Sequence, residues 1–393
     1  MAGATPTPTR GAQSSGLHLF LSMPAPFSPG LEGVVAAQTE ISEVDGQNGR
    51  LIYRGGYQIH ELAERSFEEI AYLLWHGNLP DEGQLEELKQ QMGSNRSLNG
   101  QARAALAGLD RDVDPMDALR TVLSAQGAAP DCPKPTLEGA IEITAVTPSA
   151  VAGYYRHQQG QELVDPRADL GHAANFLYMM WGEEPDPDRV RYLEAYLVLL
   201  ADHGLNASTF TARVAASTGT DLYSAMIAAI GALKGPSHGG AATGAMKMLD
   251  KIGSAQNAEA WLTEAMARKE RIAGFGHRVY RTYDPRAKIL KKLAEKGNPR
   301  FYRVASRTEE LALRMLKERH PERPNATNVD YYSAGILQAA GFPKEFFTCV
   351  FAASRMAGWT AHVLEYMAQD GRIIRPASEW IGPDPDKRTA ASA

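Results

Sequence analysis

Along most of the chain, apolar residues recur at the three-to-four spacing of a helix rather than in alternation. Val190, Leu193, Leu197 and Leu200 form one such stripe and lead directly into Ala201-Asp-His-Gly-Leu-Asn206. Ser66-Phe-Glu-Glu69 reads as a capping box ahead of Ile70, Leu73 and Leu74, with Gly77 and Pro80 placed to stop that helix. A second long helix is predicted from about Glu345 to Met367. Small residues crowd the segments TARVAASTG and SAMIAAIGAL, which suits helices packed at close distance in a large all-α core. The one convincing β signal lies near the start, where residues 40–44 and 51–53 flank the turn-rich Asp45-Gly-Gln-Asn-Gly49, a hairpin. No internal repeat stands out. The longest uninterrupted apolar run, Ala225 to Leu233, is about half the roughly 18 residues needed to cross a bilayer, so no membrane association is expected.

Composition narrows the class. A chain of 393 residues suggests two or three domains with cores large enough to need no covalent staples. Cys132 and Cys349 are its two cysteines, with no CxxC and no Cys/His cluster at ligand spacing. A secreted disulfide scaffold and a zinc module are therefore disfavoured, and a reducing compartment, the cytoplasm, fits. Residues 1–29 are rich in Pro, Thr, Ser, Ala and Gly and are expected to be a flexible extension, lacking the basic start and apolar core of a secretory signal. The net charge of −5 first argues against an anionic partner, but between Arg268 and Arg307 thirteen Lys or Arg face only Glu270, Asp284 and Glu295. This block is either a solvated helix face or a site for a phosphate-rich or carboxylate-rich ligand.

Four polar clusters interrupt the helical background. They are Ala201-Asp-His-Gly-Leu-Asn206, Gly235-Pro-Ser-His-Gly-Gly240, the run from Gly274-Phe-Gly-His277 to Asp284-Pro-Arg286, and Asn328-Val-Asp330. Singly, each histidine also reads as a structural residue or a helix C-cap. The third cluster is not a dinucleotide fingerprint, because Val279 stands at the third glycine position. No two of His203, His238 and His277 sit at i, i+3 or i+4, and HExxH is absent, which argues against a metal centre. Together the clusters supply histidines that can donate hydrogen bonds, a carboxylate that can act as base and arginines that can clamp carboxylates. That set suits proton abstraction next to a carbonyl, with a donor at the enol oxygen and arginines for an acidic co-substrate.

In this order, the clusters resemble the citrate synthase family. The likeness runs from about Gly30 to Pro383 and includes GLEGVVAAQTEISEVDGQNGRLIYRGG, FEEIAYLLWHGNLP, LGHAANFLYMMWGEEP, DHGLNASTFTARV, GPSHGGA, GFGHRVYRTYDPRAKIL, NVDYYSAG, FAASRMAGWTAHVLEY and RIIRP. The resemblance implies an almost wholly α-helical homodimer whose large domain (30–235 and 341–383) and small domain (236–340) close over the substrates. Residues 384–393 would be a C-terminal tail. It implies an acyltransferase of the tricarboxylic acid cycle that condenses acetyl-CoA with oxaloacetate and hydrolyses the thioester. No permanently bound cofactor and no metal would be needed, and neither nucleic acid nor membrane would be a partner.

Carried onto this sequence, the resemblance makes Asp330 the base that removes a proton from the acyl group. His238 would stabilise the enol or enolate, His277 would polarise the oxaloacetate ketone, and His203 would be a further oxaloacetate ligand. Arg286 and Arg355 match carboxylate-binding arginines, and Arg375 matches one that reaches the partner subunit's site. Phe351, one helical turn before Arg355, matches a residue packed by the acyl group, so both should face one way. Arg271, Ile272, Ala273, Gly274 and Phe275 match the segment whose backbone binds the adenine part of CoA, with the basic block attracting the phosphates.

Relative to the usual bacterial pattern, Leu200 stands for His, Gly204 for Glu, Ser237 for Leu, Ala242-Thr243 for Asn-Glu and Thr327 for Pro, and an extra glycine gives Arg54-Gly-Gly-Tyr57. None removes an assigned residue. Rival readings are 2-methylcitrate synthase using propionyl-CoA, a citryl-CoA lyase relative, and a non-catalytic polyanion-binding helical protein. One methylene in a pocket is worth only about 1–3 kcal/mol, so the sequence leaves the first rival open. The intact Asp284-Pro-Arg286, the full N-terminal half and Arg375 favour the synthase over the lyase relative. The absence of an aromatic stacking array disfavours the polyanion binder.

Overall fold

A computed structural model describes residues 27–128, 134–369 and 371–383. Of the expected flexible extension only residues 27–29 fall within these, while Cys132 and the expected tail over 384–393 lie outside them. The described residues belong to two compact units. One is the body, residues 39–375, and the other contains residues 27–38 and 376–383. In the latter, a single helical turn at Pro29–Leu31 is the only regular element among the described residues, and Phe27, Val35, Trp380 and Ile381 are exposed.

The body opens with a small antiparallel sheet and continues in helices. Strand β1 (Ser42–Asp45) pairs with β2 (Arg50–Tyr53) in the register Ser42 to Tyr53 and Asp45 to Arg50, the hairpin expected from the sequence. The structure adds a third strand, β3 (Tyr57–Gln58), paired to β2, which two residues are too few to announce by alternation. The first helices are α1 (Ile59–Leu62), α2 (Phe67–His76), α3 (Glu82–Ser94), α4 (Gly100–Ala107), α5 (Pro115–Gln126), α6 (Leu137–Gln158) and α7 (His172–Trp181). Then come α8 (Pro187–Leu200), α9 (Ala207–Ala216), α10 (Leu222–Lys234), α11 (Ala241–Ile252) and α12 (Ala258–Ala267). The last are α13 (Pro285–Gly297), α14 (Pro299–Arg319), α15 (Val329–Ala339) and α16 (Phe347–Ala368). No helix among the described residues is long and apolar enough to cross a membrane.

Local chemistry sets the ends that matter. Helix α2 starts at the reciprocal Ser66/Glu69 capping box and ends at Gly77 in the left-handed conformation. Asn206, Asp284 and Asn328 each accept a backbone N–H at the start of α9, α13 and α15, so three of the four polar clusters are helix entries. Helix α16 is buried all round from Phe347 to Val363 and packs against α2, α5, α6, α8, α9 and α10. Such a helix must satisfy its polar groups internally. Ser354 Oγ accordingly donates to Leu197 O and Arg355 Nε to Leu200 O, both at 2.7 Å, fixing α16 against the end of α8.

The sheet holds the loops that follow. Tyr53 Oη, fully buried, donates to Val198 O at 3.1 Å and accepts the Asp202 N–H at 3.1 Å, and Ser42 Oγ donates to the Asp202 carboxylate while accepting the Gly204 N–H at 2.9 Å. At the hairpin tip, Gly46 O accepts the Arg281 N–H at 2.8 Å. A Cβ at Gly46 would lie 2.1 Å from Val279 O, so only glycine permits this approach. Gly46→Ala is expected to lower the thermal unfolding midpoint, at a cost of about 1–3 kcal/mol, through forced separation of the tip and the 277–284 loop. An unchanged midpoint would show that the tip does not hold this loop.

Candidate active site

Residues 201–206, 235–240, 274–286 and 328–330, far apart in sequence, converge. His203 follows α8, and its ring lies 5.4 Å from that of His277 and 5.5 Å from that of Tyr280, centroid to centroid. His203 Nε2 and Tyr280 Oη are 3.2 Å apart. The His277 ring is held from the other side: its Nδ1 accepts the backbone N–H groups of Val279 and Tyr280, each at 3.0 Å. A nitrogen that accepts carries no proton, so in the neutral ring the proton is on Nε2, which is left as the donor.

His238 sits in the turn between α10 and α11. Its Nε2 is 2.8 Å from Ser208 Oγ, which also accepts the Trp359 Nε1 proton at 3.1 Å and lies 2.8 Å from Asn206 Oδ1. The Ser208 hydroxyl donates to Asn206 Oδ1, which also accepts the Thr209 N–H at 3.1 Å, and the contact of Ser208 Oγ with His238 Nε2 fixes the ring in place. The His238 ring meets Phe351 edge to face at 6.3 Å, and the Arg355 guanidinium lies 4.8 Å above the same Phe351 ring. Phe351 and Arg355 thus face one way, as their spacing predicts.

Arg286 and Asp284 form a buried two-point ion pair, Nε to Oδ1 at 3.1 Å and Nη2 to Oδ2 at 2.9 Å, with exposures of 3% and 0% for the two side chains. Asp284 Oδ2 also accepts the Val329 N–H at 3.2 Å, tying this pair to the start of α15. Asn328 completes the tie: its backbone N–H donates to Gly274 O and its Nδ2 to Gly276 O, both at 3.0 Å, and its Oδ1 accepts the Asp330 N–H. Gly274 has φ +87°, and a Cβ there would lie 2.5 Å from the Tyr331 ring, so glycine is required for the loop to lie against α15.

The electrostatics follow from burial beside two arginines. Burial first, then the charge of Arg286, brings His277 down to about 4. Burial and then Arg355 bring His238 to about 4, and burial, Arg286 and Arg355 hold His203 well below its ordinary value. All three are therefore neutral near pH 7. Asp330 moves the other way: burial pushes it up to about 6, while Arg286, Arg355 and Arg271 pull it back and Asp284 adds to the rise. Arg286 stays charged because the Asp284 carboxylate outweighs the burial that opposes it.

Of the CoA-matching segment, Arg271 is exposed, Ile272, Gly274 and Phe275 are buried, and Ala273 is half-buried. The backbone of this segment reaches the stretch before α15 through a bridge from Phe275 to Thr327. Arg375 is not brought to the cluster. It is exposed at the end of the body, next to Ile374, whose N–H donates to Ser217 Oγ at 3.1 Å. Residues that sequence reasoning did not single out are Tyr280, Ser208, Trp359, Asp202 and Tyr53. Asp202, next to His203, and Tyr280, three residues after His277, lie within polar clusters already marked, whereas Tyr53, Ser208 and Trp359 lie in quoted motifs without a role assigned to them. Among the described residues no group of three or more His, Cys, Asp or Glu is placed to hold a metal.

The arrangement can clamp an acidic molecule, donate hydrogen bonds from neutral imidazoles and remove a proton with one carboxylate. A family model described as citrate synthase, C-terminal domain, matches residues 30–377. Citrate synthase 2 of Bacillus subtilis is 43% identical over 370 residues, covering 91% of this chain and 96% of that protein. The 2-methylcitrate synthase of Mycobacterium tuberculosis is 40% identical over 357 residues and 90% of each chain. Citrate synthase of the archaeon Thermoplasma acidophilum, solved in a ternary complex with carboxymethyl coenzyme A and oxaloacetate, is 33% identical. Its TM-score is 0.86, covering 91% of this chain and 97% of that one.

Nitrogen-15 spectra should find His277 as the neutral Nε2–H form at pH 7, titrating near 4; an imidazolium at pH 6 would refute the geometry given above. Because the folded values lie below the ordinary 6.5, the unfolded chain takes up these protons first. The stability they contribute is complete above 6.5 and is lost as the pH falls toward 4.

Proposed function

The chain belongs to the citrate synthase family, and from that premise we propose the residue roles by which it condenses acetyl-CoA with oxaloacetate and hydrolyses the thioester to citrate and CoA. The observation that carries the reading is Asp330, a buried carboxylate raised to about 6 and acted on by the buried charges of Arg286 and Arg355, the same arginines that act on His203, His238 and His277.

Arg286 and Arg355 bind the oxaloacetate carboxylates, with His203 as a further ligand. His277 donates from Nε2 to the ketone oxygen and draws electron density from the carbon to be attacked. Asp330 takes a proton from the acetyl methyl group, and His238 donates to the thioester oxygen as negative charge gathers there. The enolate carbon attacks the ketone carbon, the new alkoxide takes a proton, and water then replaces CoA at the thioester carbon. Phe351 packs beside the acyl group. Arg271 to Phe275 lie along the adenine part of CoA, and the Arg271 charge acts on Asp330.

The site draws His203, Phe351 and Arg355 from the segments 30–235 and 341–383, and His277, Arg286 and Asp330 from 236–340. This supports two domains that close on each other, excluding water while the enolate exists. The exposure of Arg375, away from its own chain's cluster, supports a homodimer in which it enters the partner's site. A cytoplasmic location rests on cysteine usage, of which Cys349 is buried and unpaired.

The relative named 2-methylcitrate synthase keeps propionyl-CoA as the specific alternative. Thiol release from acetyl-CoA and propionyl-CoA, each with and without oxaloacetate, separates the readings. Oxaloacetate-dependent release with acetyl-CoA preferred is expected, and background release from both would sink the enzyme reading. kcat/KM should rise with pH through about 6 as Asp330 ionises, then level off. Asp330→Asn should cost roughly 10²–10⁴-fold in turnover while the protein stays folded; near-wild-type turnover would refute the role. Mixing Asp330→Asn with Arg375→Ala chains should restore one site in each mixed dimer, and no regain would refute the partner contribution.

A further inference from the structure

Behind the site, Glu309 of α14 is almost fully buried, and each of its oxygens receives two side-chain donors. Tyr283 Oη at 2.7 Å and Thr327 Oγ1 at 2.6 Å donate to Oε1, while Lys291 Nζ at 2.6 Å and Tyr332 Oη at 2.7 Å donate to Oε2. An ionised carboxylate offers about four lone-pair positions, so this one is saturated and its donors are held at fixed angles. The four donors come from the 277–284 loop, from the stretch before α15, from α13 and from α15. Their positions in the chain are telling. Tyr283 stands one residue before Asp284 and three before Arg286, and Thr327 and Tyr332 bracket Asp330. The two bracketed segments also bond to each other, Asp284 N–H to Thr327 O at 3.2 Å and Val329 N–H to Asp284 Oδ2 at 3.2 Å.

We propose that Glu309 is a positioning residue for the reaction, locking the segment that carries Arg286 and the helix that carries Asp330 into one register. The inference rests on the roles given to Asp330 and Arg286 above and adds the group that sets their separation. Glu309 touches no reacting atom. Its contribution is geometric: a base that must meet a methyl proton at hydrogen-bond range tolerates little error, and a displacement of about 1 Å costs on the order of 10²-fold. Burial works against the ionised form of Glu309, but Lys291 and the three hydroxyl donors outweigh it and hold its carboxyl below the usual range. The charge that sets the geometry therefore persists through the pH range in which Asp330 titrates.

The branches of the hub predict different kinetic signatures, which a merely structural role would not produce. Tyr283→Phe releases the Arg286 side and should raise the oxaloacetate KM, on the order of tenfold, with kcat nearly unchanged. Tyr332→Phe and Thr327→Val release the Asp330 side and should lower kcat by a similar factor, on the order of tenfold, with the oxaloacetate KM nearly unchanged. Glu309→Gln should change both parameters, and Glu309→Asp, which keeps the charge, should recover part of the loss. The single-hydroxyl variants keep the test decisive if the Glu309 variants do not fold. Lowered melting temperatures with both kinetic parameters at wild-type values, or the same parameter changed by every variant, would overturn the proposal. Absence of oxaloacetate-dependent turnover in the wild type would instead overturn the reading of the site on which it rests.

Discussion

Two buried arginines, Arg286 and Arg355, are the constraint on which the rest of the site depends. A buried charge left alone is costly, so each must find compensation in fixed geometry. Arg286 finds it in the two-point pair with Asp284. Arg355 finds it in Leu200 O and in the charge of the buried Asp202. Their charges sit in a poorly solvated place, and the neighbouring groups answer to them. The histidines are kept from taking up protons, which makes them donors without charge. Asp330, which burial alone would drive higher, is pulled back to about 6 and can still ionise at neutral pH.

The scaffold explains how such charges are held. Helix α16 supplies Arg355 from a stretch buried on every side, where its rotamer is fixed by packing. The buried Asp202, one residue from His203, is bonded through Ser42 to the sheet and lies against the buried His362 of α16, with 3.3 Å between Asp202 Oδ1 and His362 Nε2. Three elements therefore meet beneath His203: strand β1, the end of α8 and α16. At the opposite end of the hairpin, Gly46 meets the 277–284 loop. The small sheet bridges the loops bearing His203 and His277, although it contributes no reacting group itself.

Much of this was legible in the sequence because it is local. The capping box at Ser66, the Asn and Asp helix entries and the apolar stripe of α8 are written within a few consecutive residues. Motif order marked His203, His238, His277, Arg286, Asp330 and Arg355 as candidates, and in the fold the arginine charges act on the histidines and on Asp330. What was not legible depends on residues that meet only after folding. The donors to Glu309 span residues 283 to 332, and Ser208 lies thirty residues before the His238 it touches. The charge block is the clearest case. Its count of thirteen basic residues stopped at Arg307, just short of Glu309 and Glu310, which pair with Lys291 and Arg307. At its other edge, Glu264, just outside the count, and Glu270 pair with Arg268. Three acids outside the count, Glu264, Glu309 and Glu310, thus offset part of the apparent excess. Thr327 illustrates the same point: it departs from the expected Pro, and in the fold its hydroxyl is bound to Glu309.

The arginines also connect the two halves of the reaction. The same positive charges that pull Asp330 down toward the ordinary carboxyl range are those a dicarboxylate would neutralise. Setting a dianion on Arg286 and Arg355 offsets the stabilisation they give to the ionised Asp330 and leaves burial to act, so the carboxylate becomes a stronger base. The change matters because a thioester α-hydrogen is only weakly acidic and a carboxylate near 4 would be poorly matched to it. By the same sign, cancelling the arginine charges relaxes the downward pressure on His277 and His203, so a proton passed to the new alkoxide is more readily replaced. Under the proposed roles, occupation of the acid-binding half tunes the base in the other half through charge, beside any effect of domain closure.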